Sequence, residues 1–152
     1  MVENKLYGSR EVLMKLWASS ERRLYDPRID DRLKQLFDAV VSDWPFPLWE
    51  LQINRDGGYR TAERQKDIFD TGASKTLQSK HMKGKAIDIT LYWAGTEKAI
   101  WDRYSYTMVA GYIRFIADSL GIPVIWGADW NDNFIIKEEE NWEIDFVHWE
   151  LL

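Results

Sequence analysis

The residues best suited to chemistry in this chain of 152 residues are its only two histidines, each of which has a carboxylate close by in sequence. His81 lies seven positions before Asp88, and Asp145 lies three positions before His148. A catalytic zinc ion takes three imidazole or carboxylate ligands and leaves one position for water. His81, Asp88 and His148 meet that count, and Asp145 is then placed to move the proton of the bound water.

The same residue types also have ordinary structural roles. The spacing of these residues, taken alone, favours such roles over a metal site. Two histidines in a chain of this length are commonly plain core or surface residues. Arg60 can hold a substrate carboxylate or an oxyanion with its planar guanidinium, or it can form a surface ion pair with Glu63 or Asp67. The residues alone favour the ion pair. Ser79 can hydrogen-bond near His81, although a local turn role is more common for a loop serine.

A group of acidic residues precedes the last predicted strand. Its members are Asp129, Asp132 and Glu138 to Glu140. Carboxylate oxygens in such a group can bind a cation. A solvated acidic loop is the interpretation that the sequence favours.

Composition excludes several classes of protein. The chain has no cysteine, which excludes a disulfide framework, a thiolate zinc site and a thiol nucleophile. Its net charge is −5, from 20 Lys+Arg against 25 Asp+Glu, so we expect no nucleic-acid partner. No apolar run reaches about 18 residues, so we expect no membrane insertion. The first residues lack the basic and apolar stretches of a secretory signal, which predicts that the chain stays in the cytoplasm.

The hydrophobic spacing predicts one α+β domain with a small, mainly antiparallel sheet flanked by helices. Thr61 is the predicted cap of a helix that runs to about Asp70, and Gly121 follows the last predicted helix at the position of a left-handed cap. Because alternate residues of the final strand share one face, Asp145 needs a bend at the start of that strand to join His148. Helices are predicted at residues 13–20 behind a Ser9 cap, 33–40, 61–70 and 109–120, and strands at residues 49–54, 85–92, 123–126 and 146–151.

Two segments carry recognisable motifs. Residues 79–88 fit the pattern S-x-H-x-x-G-x-A-x-D, and residues 145–150 fit D/E-x-x-H-W/F-E. Both resemble signatures of the D-Ala-D-Ala carboxypeptidase and L-alanyl-D-glutamate peptidase family, within the hedgehog-like and lysostaphin-type group of metallopeptidases. Residues 58–65, 71–76 and 126–130 are similar to segments of the phage endolysin branch. The resemblance runs from about residue 55 to residue 152.

The resemblance implies a role for each matching residue. It makes His81, Asp88 and His148 the ligands of one catalytic zinc ion, Asp145 the catalytic base, and Arg60 the residue that stabilises substrate and oxyanion. An Asp three positions before the last histidine is similar to the L-alanyl-D-glutamate endopeptidases, whereas D-Ala-D-Ala dipeptidases usually carry Glu there. Further residues expected to contact substrate or to support the site are Ser79, Tyr59, Trp149 and Glu150.

The implied function is hydrolysis of the L-Ala–D-Glu bond in the stem peptides of peptidoglycan, which causes bacterial lysis. On this interpretation residues 1–152 form a single zinc peptidase domain of the hedgehog/D-Ala-D-Ala-peptidase-like fold, in which the helical segment at residues 1–50 is integral and no separate cell-wall-binding domain exists. We expect a monomer that accumulates in the cytoplasm of the host bacterium until a holin releases it to the wall. The alternatives are a D-Ala-D-Ala carboxypeptidase or dipeptidase with the same site, a non-catalytic zinc-bearing binding module, and a cytoplasmic enzyme of wall-peptide recycling.

Overall fold

The structure, a computed structural model, describes residues 14–133 and 145–152 as an α+β arrangement. Within these ranges, four α-helices and six short strands alternate irregularly, and a 3-10 helix precedes the second strand. The elements in chain order are α1 (Ala18–Leu24), α2 (Asp31–Ser42), β1 (Trp49–Gln52), α3 (Ala62–Asp70), the 3-10 helix (Lys80–Lys83), β2 (Ala86–Asp88), β3 (Thr90–Trp93), β4 (Ala99–Ile100), α4 (Arg103–Leu120), β5 (Val124–Trp126) and β6 (His148–Leu151).

The strands form two three-stranded antiparallel sheets, with strand orders β1-β3-β4 and β2-β6-β5. The α+β class with antiparallel pairing is therefore confirmed, but the single strand predicted at residues 85–92 is wrong. It divides at Ile89 into β2 and β3, which belong to different sheets. The backbone N–H of Asp88 donates to Gly57 and that of Ile89 donates to Val147. The chain thus leaves one sheet and enters the other at Ile89. The hydrophobic pattern of the sequence does not indicate this change of sheet.

Helix α3 begins and helix α4 ends as their sequence signals predict, although α4 begins six residues before the predicted residue 109. The Thr61 side chain caps α3 by accepting a hydrogen bond from the backbone N–H of Arg64. Gly121 follows α4 with φ of 67°, in the left-handed region that a side chain disfavours. Residues Asp30 and Asp102 cap α2 and α4 in the same way as Thr61.

The helix predicted at residues 13–20 is wrong over the first residues that the structure describes. Residues 14–17 are not helical, and α1 begins only at Ala18, after an extended Trp17. The backbone N–H of Trp17 donates to Oε1 of the buried Gln52 at 2.8 Å, which holds the preceding chain against β1. Leu16 is buried nonetheless. Ser9 and Leu13 lie outside the described residues.

The core lies between the helices and the two sheets. On α2 the buried side chains recur at helical spacing, so one face of the helix packs inward against α4 while the other face remains polar. Within the described ranges, no helix is both long and apolar enough to cross a membrane. The fully buried side chains of α1, α2, α4 and the strands include Leu24, Leu33, Leu36, Phe37, Val40, Leu51, Leu91 and Ile113.

Gly84 ties the 3-10 helix to the segment before α2. It has φ of 66°, and its carbonyl accepts a hydrogen bond from the backbone N–H of Asp30 at 2.9 Å. A Cβ at Gly84 would lie 1.7 Å from the carbonyl oxygen of Arg28. Only glycine allows this close approach, which fixes the end of the helix that carries His81.

Replacing Gly84 with alanine is expected to destabilise the fold by much more than the cost of a left-handed alanine, which is about 1–2 kcal/mol. The added Cβ meets backbone, which cannot move aside as a flexible side chain can. Gly95→Ala is the matched control, because Gly95 has φ of 71° and nothing within 4 Å of the position of a Cβ. Urea denaturation of both variants measures the difference; equal losses in free energy of unfolding would contradict the close contact.

Candidate metal centre and active site

Asp88 and His148 are brought face to face by the pairing of β2 with β6. The register places Asp88 directly opposite His148, and opposed side chains lie on the same face of a sheet. His81 reaches them from the 3-10 helix. Asp88 Oδ1 lies 2.9 Å from His148 Nδ1 and 3.0 Å from His81 Nε2, and these two nitrogens are 3.3 Å apart. The three residues that the sequence singles out as ligands therefore meet at one point.

This triangle of atoms has the size that a bound metal ion requires. Ligand bonds to zinc are about 2.0–2.1 Å long, so two ligands of a tetrahedral ion lie roughly 3.3 Å apart. Both histidines are buried, which shields the site from bulk water. Among the described residues, this is the only group of three or more His, Cys, Asp or Glu side chains whose ligand atoms all lie within 4.8 Å of one another. The donor set fits a divalent metal ion.

His81 is held in the tautomer that a metal ligand needs. Its Nδ1 lies 2.9 Å from the carbonyl oxygen of Gly58, which can only accept, so Nδ1 carries the proton and Nε2 presents its lone pair to the site. The backbone of the 3-10 helix is fixed as well: the carbonyl oxygen of His81 accepts from the N–H of Arg60 at 3.2 Å. Gly58 thereby orients the His81 ring, and Arg60 holds the His81 backbone.

His148 is oriented by a carboxylate on its own strand. Its Nε2 lies 2.9 Å from Glu150 Oε2, and Glu150 also pairs with Lys80 Nζ at 3.1 Å. Burial raises the pKa of Glu150, but hydrogen bonds from His148 and Lys80 outweigh burial and hold it below its usual range. Burial lowers the pKa of His148, and hydrogen bonds to Asp88 and Glu150 overcome this and raise it to about 9. The carboxylates around His148 thus favour a positive charge at this point, which a bound cation would supply in place of the proton, since only the neutral imidazole can bind a metal.

Asp88 is held by Arg60 at the oxygen that faces away from the histidines. Arg60 Nη2 lies 2.8 Å from Asp88 Oδ2, and both side chains are largely buried. Burial raises the pKa of Asp88, but its close contacts with His148 and His81 outweigh burial and hold it well below the usual range of a carboxyl. The surface ion pair of Arg60 with Glu63 or Asp67 that the residues alone favoured is wrong, because the guanidinium turns inward to Asp88.

The remaining bonds of Arg60 fix its orientation. Nε donates to the carbonyl oxygen of Asp56 at 2.6 Å, and Nη1 donates to Oε1 of the fully buried Gln65 at 3.3 Å. Three of the five guanidinium N–H groups therefore have acceptors in the described chain. The other two are available to a carboxylate or an oxyanion.

Asp145 lies close to the His–Asp–His group, three residues before β6 begins. The bend that the sequence requires there is a turn, closed by a hydrogen bond from the His148 backbone N–H to the Asp145 carbonyl at 3.2 Å. Gly127 accepts from the Asp145 backbone N–H at 2.9 Å. Partial removal from water raises the pKa of the Asp145 carboxyl, and the negative charge of Asp88 raises it further. A carboxylate with a raised pKa is suited to accept and return a proton.

Of the other predicted site residues, Ser79 and Glu150 contact the two histidines, whereas Tyr59 and Trp149 pack on other side chains. Ser79 caps the 3-10 helix by accepting from the His81 backbone N–H at 3.3 Å, which is the local turn role. Tyr59 lies under the guanidinium of Arg28, with 4.1 Å from Cζ to the ring centroid. Trp149 is buried and stacks on Trp126 at 6.1 Å, on the face of β6 opposite to His148 and Glu150.

The acidic loop is partly inside the protein. Asp129 is 3% exposed and pairs with Arg114 on α4, so the prediction of a solvated loop is wrong for this residue. Asp132 also pairs with Arg114 and is more exposed than Asp129. Glu138 to Glu140 lie outside the described residues.

Sequence reasoning gave no role to several residues that build the site. Gly58 and Gly127 act through backbone groups, which have no sequence signal beyond glycine itself. Gln65 and Lys80 act through long-range hydrogen bonds that only the fold brings about. A buried polar side chain such as Gln65 can be recognised only when its burial is known.

Comparison with known proteins agrees with this geometry. Residues 14–152 match the family of phage L-alanyl-D-glutamate peptidases. The fold is similar to the crystal structure of the Serratia marcescens L-Ala D-Glu endopeptidase ChiX, with a TM-score of 0.69, 24% sequence identity and 94% of each chain covered. No curated protein matches the chain in sequence. The family match covers the helices, both sheets and the convergent His–Asp–His group, and the chain therefore belongs to the phage L-alanyl-D-glutamate peptidase family.

Proposed function

We propose that this L-alanyl-D-glutamate peptidase is a zinc enzyme in which His81, Asp88 and His148 hold the metal and Asp145 is the catalytic base. The observation that carries the proposal is the meeting of three ligand atoms at 2.9–3.3 Å from one another beside a carboxylate of raised pKa. Imidazole and carboxylate ligands in a buried group of three are typical of catalytic zinc. The fourth position is then open to water and substrate.

The residues of the chain divide the work of hydrolysis. Zinc, when bound, supplies a water of lowered pKa and polarises the scissile carbonyl. Asp145 takes the proton of the attacking water and returns it to the leaving amine of D-Glu. Glu150 and the Gly58 carbonyl keep the two histidines in the required tautomers. In this arrangement Asp88 pairs with Arg60 and Glu150 pairs with Lys80, so these carboxylates have charged partners.

Arg60 has two tasks in this proposal. Its bond to Asp88 Oδ2 leaves Oδ1 directed to the metal. Its N–H groups without an acceptor in the described chain hold the developing oxyanion or a substrate carboxylate, and they do so from a fixed position because Asp56 and Gln65 hold the guanidinium. An arginine held in this way stabilises the transition state without having to reorganise.

The family supports a proposal about the biological setting. We propose that the described ranges form one domain and that the protein acts as a monomer on peptidoglycan of the host wall after a holin releases it from the cytoplasm. The packing of α2 against α4 in one core supports the single domain. Cell-wall peptidase activity released at the end of infection accounts for lysis.

The products of wall digestion test the function. Purified peptidoglycan treated with the zinc-loaded protein is expected to release fragments with a new amino-terminal D-Glu, seen by mass spectrometry. An aliquot treated with EDTA is expected to release none, because the metal is essential to the proposed reaction. Free D-alanine as the product would instead support a carboxypeptidase, and no product from folded, zinc-loaded protein would support a binding module.

Replacing Asp145 with asparagine is expected to lower kcat by about 10²–10⁴-fold, the usual contribution of a general acid–base group. The zinc content is expected to stay the same, because Asp145 is not a ligand. Asp118→Asn, at an exposed position on α4, is the control and is expected to keep full activity. Turnover at the wild-type rate in Asp145→Asn would contradict the assigned base.

Zinc is also expected to stabilise the fold, because it joins segments that are far apart in sequence. At free zinc about a thousandfold above its Kd, the gain in unfolding free energy is roughly 4 kcal/mol. Thermal unfolding of the apo and zinc-loaded protein measures the change in Tm. His81→Ala and His148→Ala are expected to lose this zinc-dependent rise; a rise that persists in both variants would place the metal elsewhere.

A further inference from the structure

The segment that follows β5 is anchored to α4 by a buried ion pair. Arg114 Nη1 lies 2.7 Å from Asp129 Oδ2, and the Asp129 side chain is 1% exposed. The other oxygen of Asp129 accepts from the backbone N–H of Asn133 at 3.1 Å. A buried carboxylate in a loop needs such partners. Arg114 supplies the positive charge that pairs with this buried carboxylate, so the acidic loop needs no external cation at Asp129.

The same segment is fixed to β6 at its beginning. The backbone N–H of Gly127 donates to the His148 carbonyl at 2.8 Å, and the Gly127 carbonyl accepts from Asp145. A Cβ at Gly127 would lie 2.4 Å from the Asp145 carbonyl oxygen, so the two stretches of backbone are in close contact. The segment from Gly127 to Asn133 is therefore held at both ends, by β6 and by α4.

Trp130 lies between these two anchors and next to a metal ligand. Its ring centroid is 5.4 Å from that of His148, at an interplanar angle of 40°. One side of the indole thus covers the imidazole, while 42% of the residue remains exposed. A large aromatic side chain open to solvent beside a catalytic centre offers apolar area that a bound peptide can cover.

We propose that Trp130 contacts the stem peptide as a wall of the substrate cleft, and that Arg114 is a positioning residue that holds Trp130 there through Asp129. The proposal rests on the function proposed above, since it assigns a substrate contact within that same site. Trp130 binds no metal and transfers no proton. Its contact with the peptide exists both before and during the reaction. Loss of the contact is therefore expected to raise KM and to leave kcat nearly unchanged.

The test is steady-state kinetics of the zinc-loaded enzyme on a soluble disaccharide-tetrapeptide muropeptide. Trp130→Ala is expected to raise KM roughly fivefold to tenfold with kcat changed by less than about twofold. Trp130→Phe is expected to restore most of the affinity. Trp93→Ala is the matched control, because Trp93 is 47% exposed but lies on β3 of the other sheet; its KM is expected to be that of the wild type.

The positioning role has its own measurement. Arg114→Met is expected to raise KM as Trp130→Ala does, with Arg114→Lys between it and the wild type. In the double variant of Arg114→Met and Trp130→Ala, KM is expected to equal that of Trp130→Ala, because both changes remove the same contact. If the methionine variant does not fold, Arg114→Lys takes its place in the double variant.

The outcomes separate the two proposals. Wild-type turnover with an unchanged KM in Trp130→Ala would overturn the substrate contact while leaving the peptidase function intact. Increases in KM that multiply in the double variant would overturn the positioning role of Arg114. Absence of any turnover by the wild-type enzyme would overturn the proposed function and this inference with it.

Discussion

The antiparallel pairing of β2 with β6 sets Asp88 opposite His148, and the rest of the site is arranged around that pair. A shift of one residue in this register would turn one of the two side chains to the other face of the sheet. The buried Trp149 and Ile87 face each other one step along and fill the apolar side, which opposes such a shift. Packing of the hydrophobic face thus determines the geometry of the polar one.

In each residue of the His–Asp–His group, the atom that faces away from the other two is bound to a different segment of the chain. The Gly58 carbonyl holds His81, Glu150 holds His148, and Arg60 holds Asp88. These contacts leave three electron-pair donors directed to one point, where a cation relieves their mutual repulsion. The same arrangement explains why residues without any metal-binding chemistry are necessary to the site: they determine which atom of each ligand faces inward.

Sequence reasoning predicted that His81, Asp88 and His148 meet, because histidines are few and the motifs have a recognised spacing. It also predicted the caps at Thr61 and Gly121, which depend only on local backbone geometry. It did not predict the division of the chain at Ile89, since β-branched residues continue through both strands. Nor did it predict the ion pair of Arg60 with Asp88 or the burial of Asp129, because both depend on charges supplied from distant elements. Local sequence signals indicate where helices begin and end. Ion pairs between distant residues form only when the fold brings those residues together.

The strand order β2-β6-β5 places the strand latest in sequence at the centre of its sheet. Until β6 inserts, β2 and β5 have no hydrogen-bonding partner in that sheet, and Asp88 has no facing histidine. A nascent chain that has not reached residue 148 therefore lacks the sheet as well as a ligand. Completion of this sheet and of the His–Asp–His group is therefore a single late event of biosynthesis.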